Sequence, residues 1–139
     1  MAKSRLSDAD YEALSNLRYT LRRFMDFSTS AAQVKGLPAQ QHQALLAIRG
    51  HRDEESMTVG KLAERLLIAP HTATELVNRL VSAGYVTRNS DPADGRRQTL
   101  ALTQKADDIL EQLSAIHLTE IREMAPKLID ILRAIESER

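Results

Sequence analysis

The chain has 139 residues, 42% of them hydrophobic and 27% charged, an ordinary globular mix that suits one domain with a real core. No apolar run approaches the roughly 18 residues that span a bilayer, and Met1 to Ser7 lacks the apolar stretch of a secretory signal, so a cytoplasmic address without membrane contact is expected. The absence of cysteine excludes disulfides, thiol nucleophiles and cysteine-bound zinc, and a formal net charge of zero argues against a crude polyanion binder.

Ser7 is placed to cap a helix with Asp8 and Asp10 in its first turn. Behind it Tyr11, Leu14, Leu17, Leu21, Phe24 and Ser28 recur at steps of three or four, which predicts one helix to about Val34, stopped by Gly36. Pro38 restarts the chain, and Ala44, Leu45 and Ile48 predict a second helix ending near Gly50. Met57 to Val59 has the composition of a very short strand. Val59, Leu62, Ala63, Leu66 and Leu67 then predict a short amphipathic helix, and Ile68 and Ala69 a tight turn. Pro70 suits the first position of the next helix, which turns Ala73, Leu76, Val77 and Leu80 inward. His71, Thr72, Thr74, Glu75, Asn78 and Arg79 face outward on it, and Gly84 ends it. Two β-prone runs, Tyr85 to Arg88 and Gln98 to Leu102, flank the turn Asn89 to Gly95 and predict a hairpin with a long, charged tip. Thr103 caps a long helix that Pro126 is expected to break near Ala125, leaving Leu128, Ile129, Ile131, Leu132 and Ile135 on a last, separate helix.

A two-helix unit with a tight turn, followed directly by a hairpin, is a winged helix-turn-helix. Its second helix fits a DNA major groove, and its hairpin reaches the neighbouring backbone or minor groove. The charge distribution agrees. Residues 57–103 hold six Lys or Arg against four acids, whereas residues 104–139 hold five against eight. Arg96 and Arg97 at the hairpin tip suit a minor groove, with Asp94 placed to orient one guanidinium. Each feature has a bland counterpart: the tip as a solvated polar turn, and the helix face as an ordinary solvent face on which Glu75 would repel DNA. A winged helix that binds another protein is the alternative class, and the salt dependence of DNA binding separates the two.

The run Leu62-Ala63-Glu64-Arg65-Leu66, Pro70-His71-Thr72, Asn78-Arg79-Leu80, Gly84-Tyr85-Val86-Thr87-Arg88, Asp91-Pro92-Ala93-Asp94-Gly95-Arg96-Arg97 and Leu102-Thr103 resembles the MarR family of transcriptional regulators. Gly36 to His42 resembles the start of that family's second helix. The resemblance implies a mainly α fold with a small β-hairpin wing, spanning residues 1–139 as one domain. In it 57–103 is the winged helix-turn-helix, and 7–36 and 104–139 are dimerisation helices. It implies a homodimeric repressor, not an enzyme, that binds a pseudo-palindromic operator in double-stranded DNA. The DNA-facing residues would be Pro70, His71, Thr72, Thr74, Glu75, Asn78, Arg79, Arg88, Asp94, Arg96 and Arg97. A small aromatic or phenolic effector would release DNA from a pocket between the dimer and winged parts, with Phe24, Phe27, Ser28, His42, Leu46 and Leu113 as candidate lining. Two departures remove side-chain caps: Pro38-Ala39 replaces a common Thr-Pro pair, and Ala69 stands where Ser is common. The apolar last helix independently favours burial against a partner.

The histidines His42, His51, His71 and His117 are isolated, and no two stand four apart on a helix, so no preformed metal pair is expected. No cofactor is expected either. No phosphate-cradling glycine loop is present, and the acid runs Asp53-Glu54-Glu55 and Asp107-Asp108 are expected to face solvent.

Overall fold

The computed structural model describes residues 5–52, 54–91 and 93–137. Its elements follow the predicted order, with two exceptions noted below: α1 (Asp8–Val34), α2 (Ala39–Arg49), α3 (Val59–Leu66), α4 (Pro70–Ser82), β1 (Val86–Ser90), β2 (Gln98–Leu102) and α5 (Gln104–Ser137). Helix α1 starts at a reciprocal cap. The Ser7 backbone N–H donates to the Asp10 carboxylate at 2.8 Å, and the Asp10 N–H donates to the Ser7 hydroxyl at 3.2 Å. It ends where Gly36, at φ 78°, lets the Leu37 N–H reach back to the Ala32 carbonyl at 2.9 Å. Helices α2 and α4 follow Pro38 and Ala69 and start without a side-chain cap, the cost already legible in those two residues.

The chain divides into two compact units. One holds 32–114, with a core built on Leu37, Leu45, Leu62, Val77, Leu80, Val86 and Leu113, all fully buried. In it β1 and β2 pair antiparallel from Val86 opposite Leu102 to Ser90 opposite Gln98. The expected strand at Met57 to Val59 shrinks to one bridge between Thr58 and Thr99 beside a bond from the Leu100 N–H to the Met57 carbonyl. Thr58 is instead the N-cap of α3, its hydroxyl accepting from the Lys61 N–H at 3.2 Å, and Val59 is already helical. The other unit holds 5–31 and 115–137 among the described residues. Ile131 and His117 are buried there, but Tyr11, Leu14, Tyr19, Leu21 and Met25 of α1 stay largely exposed, as do Ile116, Leu118, Ile121, Ile129 and Leu132 of α5. Leu6, Ala13, Ile131 and Ile135 line an open groove of about 520 Å³.

The second exception is Pro126. The sequence reading breaks the last helix there and makes 104–139 two helices, yet α5 runs unbroken through Pro126 to Ser137. Continuing costs one hydrogen bond and a crowded Arg122 carbonyl. A break would orphan up to four N–H and four C=O groups at two new helix ends. With good helix formers on both sides, continuation wins. Pro126 is exposed, so replacing it removes strain without opening a cavity. Pro126→Ala is expected to raise the unfolding midpoint through a gain of about 1–3 kcal/mol. Scanning calorimetry checks this, and an unchanged midpoint would mean the proline sits in the helix at no cost.

Candidate nucleic-acid interface

Helix α3 ends at Leu67, which takes a left-handed conformation at φ 58° and is 91% exposed. A leucine there costs about 1–2 kcal/mol relative to right-handed backbone. The turn is held by bonds from the Leu67 N–H to the Glu64 carbonyl and from the Ile68 N–H to the Ala63 carbonyl. Pro70 then opens α4, and the predicted stripe Ala73, Leu76, Val77 and Leu80 is buried. His71, Thr74, Glu75, Asn78 and Arg79 are exposed and Thr72 is half-buried. The Thr74 hydroxyl donates to the Pro70 carbonyl at 3.1 Å, which leaves its oxygen able to accept from a ligand.

The far end of α4 is tied to the start of α5. The Thr103 hydroxyl donates to the Gly84 carbonyl at 2.7 Å, and Lys105 Nζ donates to the Ala83 carbonyl at 2.7 Å. The same ammonium lies 4.6 Å from the centre of the Tyr85 ring. A cation on the last carbonyls of a helix also complements its dipole. Sequence reasoning missed Lys105, because a bond across 22 residues leaves no local pattern.

At the wing tip the Asp91 N–H donates to the Arg97 carbonyl at 2.9 Å, and the Arg97 N–H donates to the Asp94 carbonyl at 3.0 Å. The Asp94 carboxylate accepts from the Arg96 N–H at 3.0 Å and stands 3.6 Å from Arg96 Nε, so one acid shapes the turn and faces the guanidinium. The Arg96 side chain is otherwise 95% exposed. Pro92, part of the resembling motif, lies outside the described residues, as does Asp53. Glu55, expected merely to face solvent, contacts two cations: Lys61 Nζ at 2.9 Å and Arg97 Nη2 at 3.9 Å. Its carboxyl is held below the usual carboxylate range, first by the hydrogen bond from Lys61, then by the charges of Lys61 and Arg97. Arg88 donates from Nη2 to Asn78 Oδ1, which joins wing and helix directly. All eleven predicted DNA-facing residues thus lie in one compact unit.

The six predicted effector-lining residues divide between the two units. Phe24, Phe27 and Ser28 meet around His117. Both rings present an edge-on geometry to the imidazole, at centroid distances of 5.9 and 5.5 Å, and Ser28 Oγ lies 2.8 Å from His117 Nε2. In the other unit His42 and Leu113 are buried, whereas Leu46 is half exposed on an open groove with Met57 and Leu66. Among the described residues no cluster of three His, Asp or Glu side chains could hold a metal ion, and no helix is long and apolar enough to cross a membrane.

A model of the MarR family matches residues 35–97. The chain is 40% identical over 63 residues to the HTH-type transcriptional regulator SarZ of Staphylococcus saprophyticus, a match covering 45% of this chain and 43% of SarZ. The chain therefore spans less than half the length of that relative. It is 28% identical over 131 residues to the uncharacterized HTH-type transcriptional regulator YcgE of Bacillus subtilis, covering 91% of this chain and 82% of YcgE. In fold it is similar to a mutant of Staphylococcus aureus MepR bound to an oligodeoxyribonucleotide, with a TM-score of 0.69 at 16% identity over 97% of this chain and all of that one.

Lys105→Met keeps most of the side chain's bulk and removes the charged donor from the end of α4. A loss of about 1 kcal/mol in urea unfolding is expected, with little change in the slope of the transition. Unaltered stability would mean the bond to Ala83 contributes nothing.

Proposed function

We propose, from this chain's membership of the MarR family, that it is a transcription regulator, a repressor rather than an enzyme, that grips double-stranded DNA as a two-fold homodimer. One observation carries the reading. An exposed polar helix face and a wing bearing Arg96 and Arg97 project from a single compact unit, each held from behind by buried residues or by bonds to its neighbours. A helix of this kind enters the major groove with His71, Thr72, Thr74, Glu75 and Arg79 toward base edges and phosphates, and Pro70 at its leading end. Arg96, oriented by Asp94, and Arg97 reach the minor groove or its phosphates. A cytoplasmic location follows from this reading, since that is where a bacterial regulator would meet DNA.

Dimerisation is supported by the unit that holds most of α1 and the second half of α5. Within that unit, ten large apolar side chains of the two helices are exposed among the described residues, too many for a free surface. A partner's helices would cover them and fill the groove beside Leu6 and Ile135. Two recognition helices related by a two-fold axis favour a pseudo-palindrome with half-sites about 10 bp apart. The nest of Phe24, Phe27, Ser28 and His117 has the chemistry to receive a small aromatic or phenolic effector that releases the DNA: flat apolar faces beside a hydroxyl and an imidazole.

Sizing at micromolar concentration should return a dimer, and removal of residues 126–139 should yield aggregate or unfolded chain; a stable full-length monomer would end the dimer reading. Arg96→Ala should weaken binding to specific and scrambled duplexes by a similar factor and flatten the salt dependence by no more than about one unit. If it binds both as well as the parent at every salt concentration, the wing has no DNA role and a protein-binding module becomes the better account.

A further inference from the structure

We infer that Asn78 is a positioning residue for Arg88, and that Arg88, not Asn78, is what the junction of helix and wing presents to DNA. This rests on the DNA-binding reading above and deepens it. Asn78 stands four residues after Thr74 and seven after His71, on the exposed face of α4 that would enter the groove. Arg88 is the third residue of β1, opposite Leu100, and shares a strand face with buried Val86. That face turns its stem inward, leaving it half-buried, and brings its guanidinium to the Asn78 amide oxygen.

An asparagine that reads adenine does so bidentately, accepting through the amide oxygen and donating through the amide nitrogen. Here the oxygen already accepts from Arg88. The arginine uses one of its five donors in that bond and keeps the others for a phosphate or a guanine edge. The neutrality of the partner is the second point. Arg96 and Arg97 face the carboxylates of Asp94 and Glu55, which orient them but offset their charge. The Asn78 amide directs Arg88 while leaving its positive charge whole. Restricting the long side chain before binding also lowers the entropy lost on contact.

The test is a double-mutant cycle on the full chain, with duplexes selected by the parent from random DNA and scrambled duplexes, at several salt concentrations. Arg88→Ala should weaken binding to both and flatten the salt dependence by about one unit. Asn78→Ala should weaken binding several-fold with the salt dependence nearly parental. In the Arg88→Ala background it should cost less than about twofold. Asn78→Asp keeps the bond but offsets the charge, so it should flatten the salt dependence as Arg88→Ala does. An Asn78→Ala loss confined to the selected duplex, and undiminished without Arg88, would overturn the inference and make Asn78 a base reader. The link is also tested without DNA: the Arg88 side-chain N–H signals in NMR should shift in Asn78→Ala, and unchanged signals would overturn the inference alone. A parent protein that binds no duplex at any salt concentration would instead overturn the DNA-binding reading, and the inference with it.

Discussion

Ala73, Leu76, Val77 and Leu80 bury one stripe of α4, and that burial decides which side chains the helix turns outward. With 3.6 residues per turn, shifting the stripe by one position would rotate the helix by about 100° and sweep Thr74, Glu75 and Asn78 off their face. The ends fix what the stripe leaves free. At the start, the left-handed Leu67 sets the angle of entry from α3. At the finish, Thr103 and Lys105 hold carbonyls that would otherwise have no partner inside the helix. The exposed face of α4 is therefore a consequence of core packing and two terminal anchors, and none of its exposed residues has to define it.

The cations around that face are handled by a common device applied with different chemistry. Arg88, Arg96 and Arg97 each have an acceptor at hand, supplied by α4, by the wing itself and by the segment before α3. Arg79 makes no ion pair among the described residues, and it projects from a helix fixed by its buried stripe and by the Lys105 bond at its end. Orientation is thus supplied by side-chain partners at the hairpin, and on α4 by the helix itself.

Much of this was legible in the sequence because it is local. Steps of three and four marked the helices, Gly36 and Gly84 marked two of their ends, and the paired β-prone runs around Asp91 to Gly95 marked the hairpin. Ala69 and Pro38 announced two uncapped helix starts. The errors came from weighing a local rule alone. Pro126 carries a breaking signal, but the alternative to an imperfect helix is two frayed ends, which only the length of helix on both sides reveals. Met57 and Thr58 have strand composition, but Thr58 serves better as a cap. Pairings distant in sequence, such as Lys105 with Ala83, Glu55 with Arg97, and His117 with Ser28, had no periodicity to betray them. Asn78 stood on the predicted face, yet the bond that engages it comes from a strand whose register the sequence did not specify.

The acids beside Arg96 and Arg97 have a bearing on how such a protein would search a genome. Asp94 and Glu55 stand as internal counterions: a phosphate that approaches either guanidinium meets a carboxylate already close to it. Attraction to an arbitrary stretch of nucleic acid would thereby be blunted, in keeping with a chain of zero formal charge. On the dimer reading, the attraction would become worthwhile only where the helix face and both wings seat together. A regulator built this way would spend less of its time stranded on irrelevant DNA or RNA, and would discriminate by refusing weak contacts as much as by rewarding good ones.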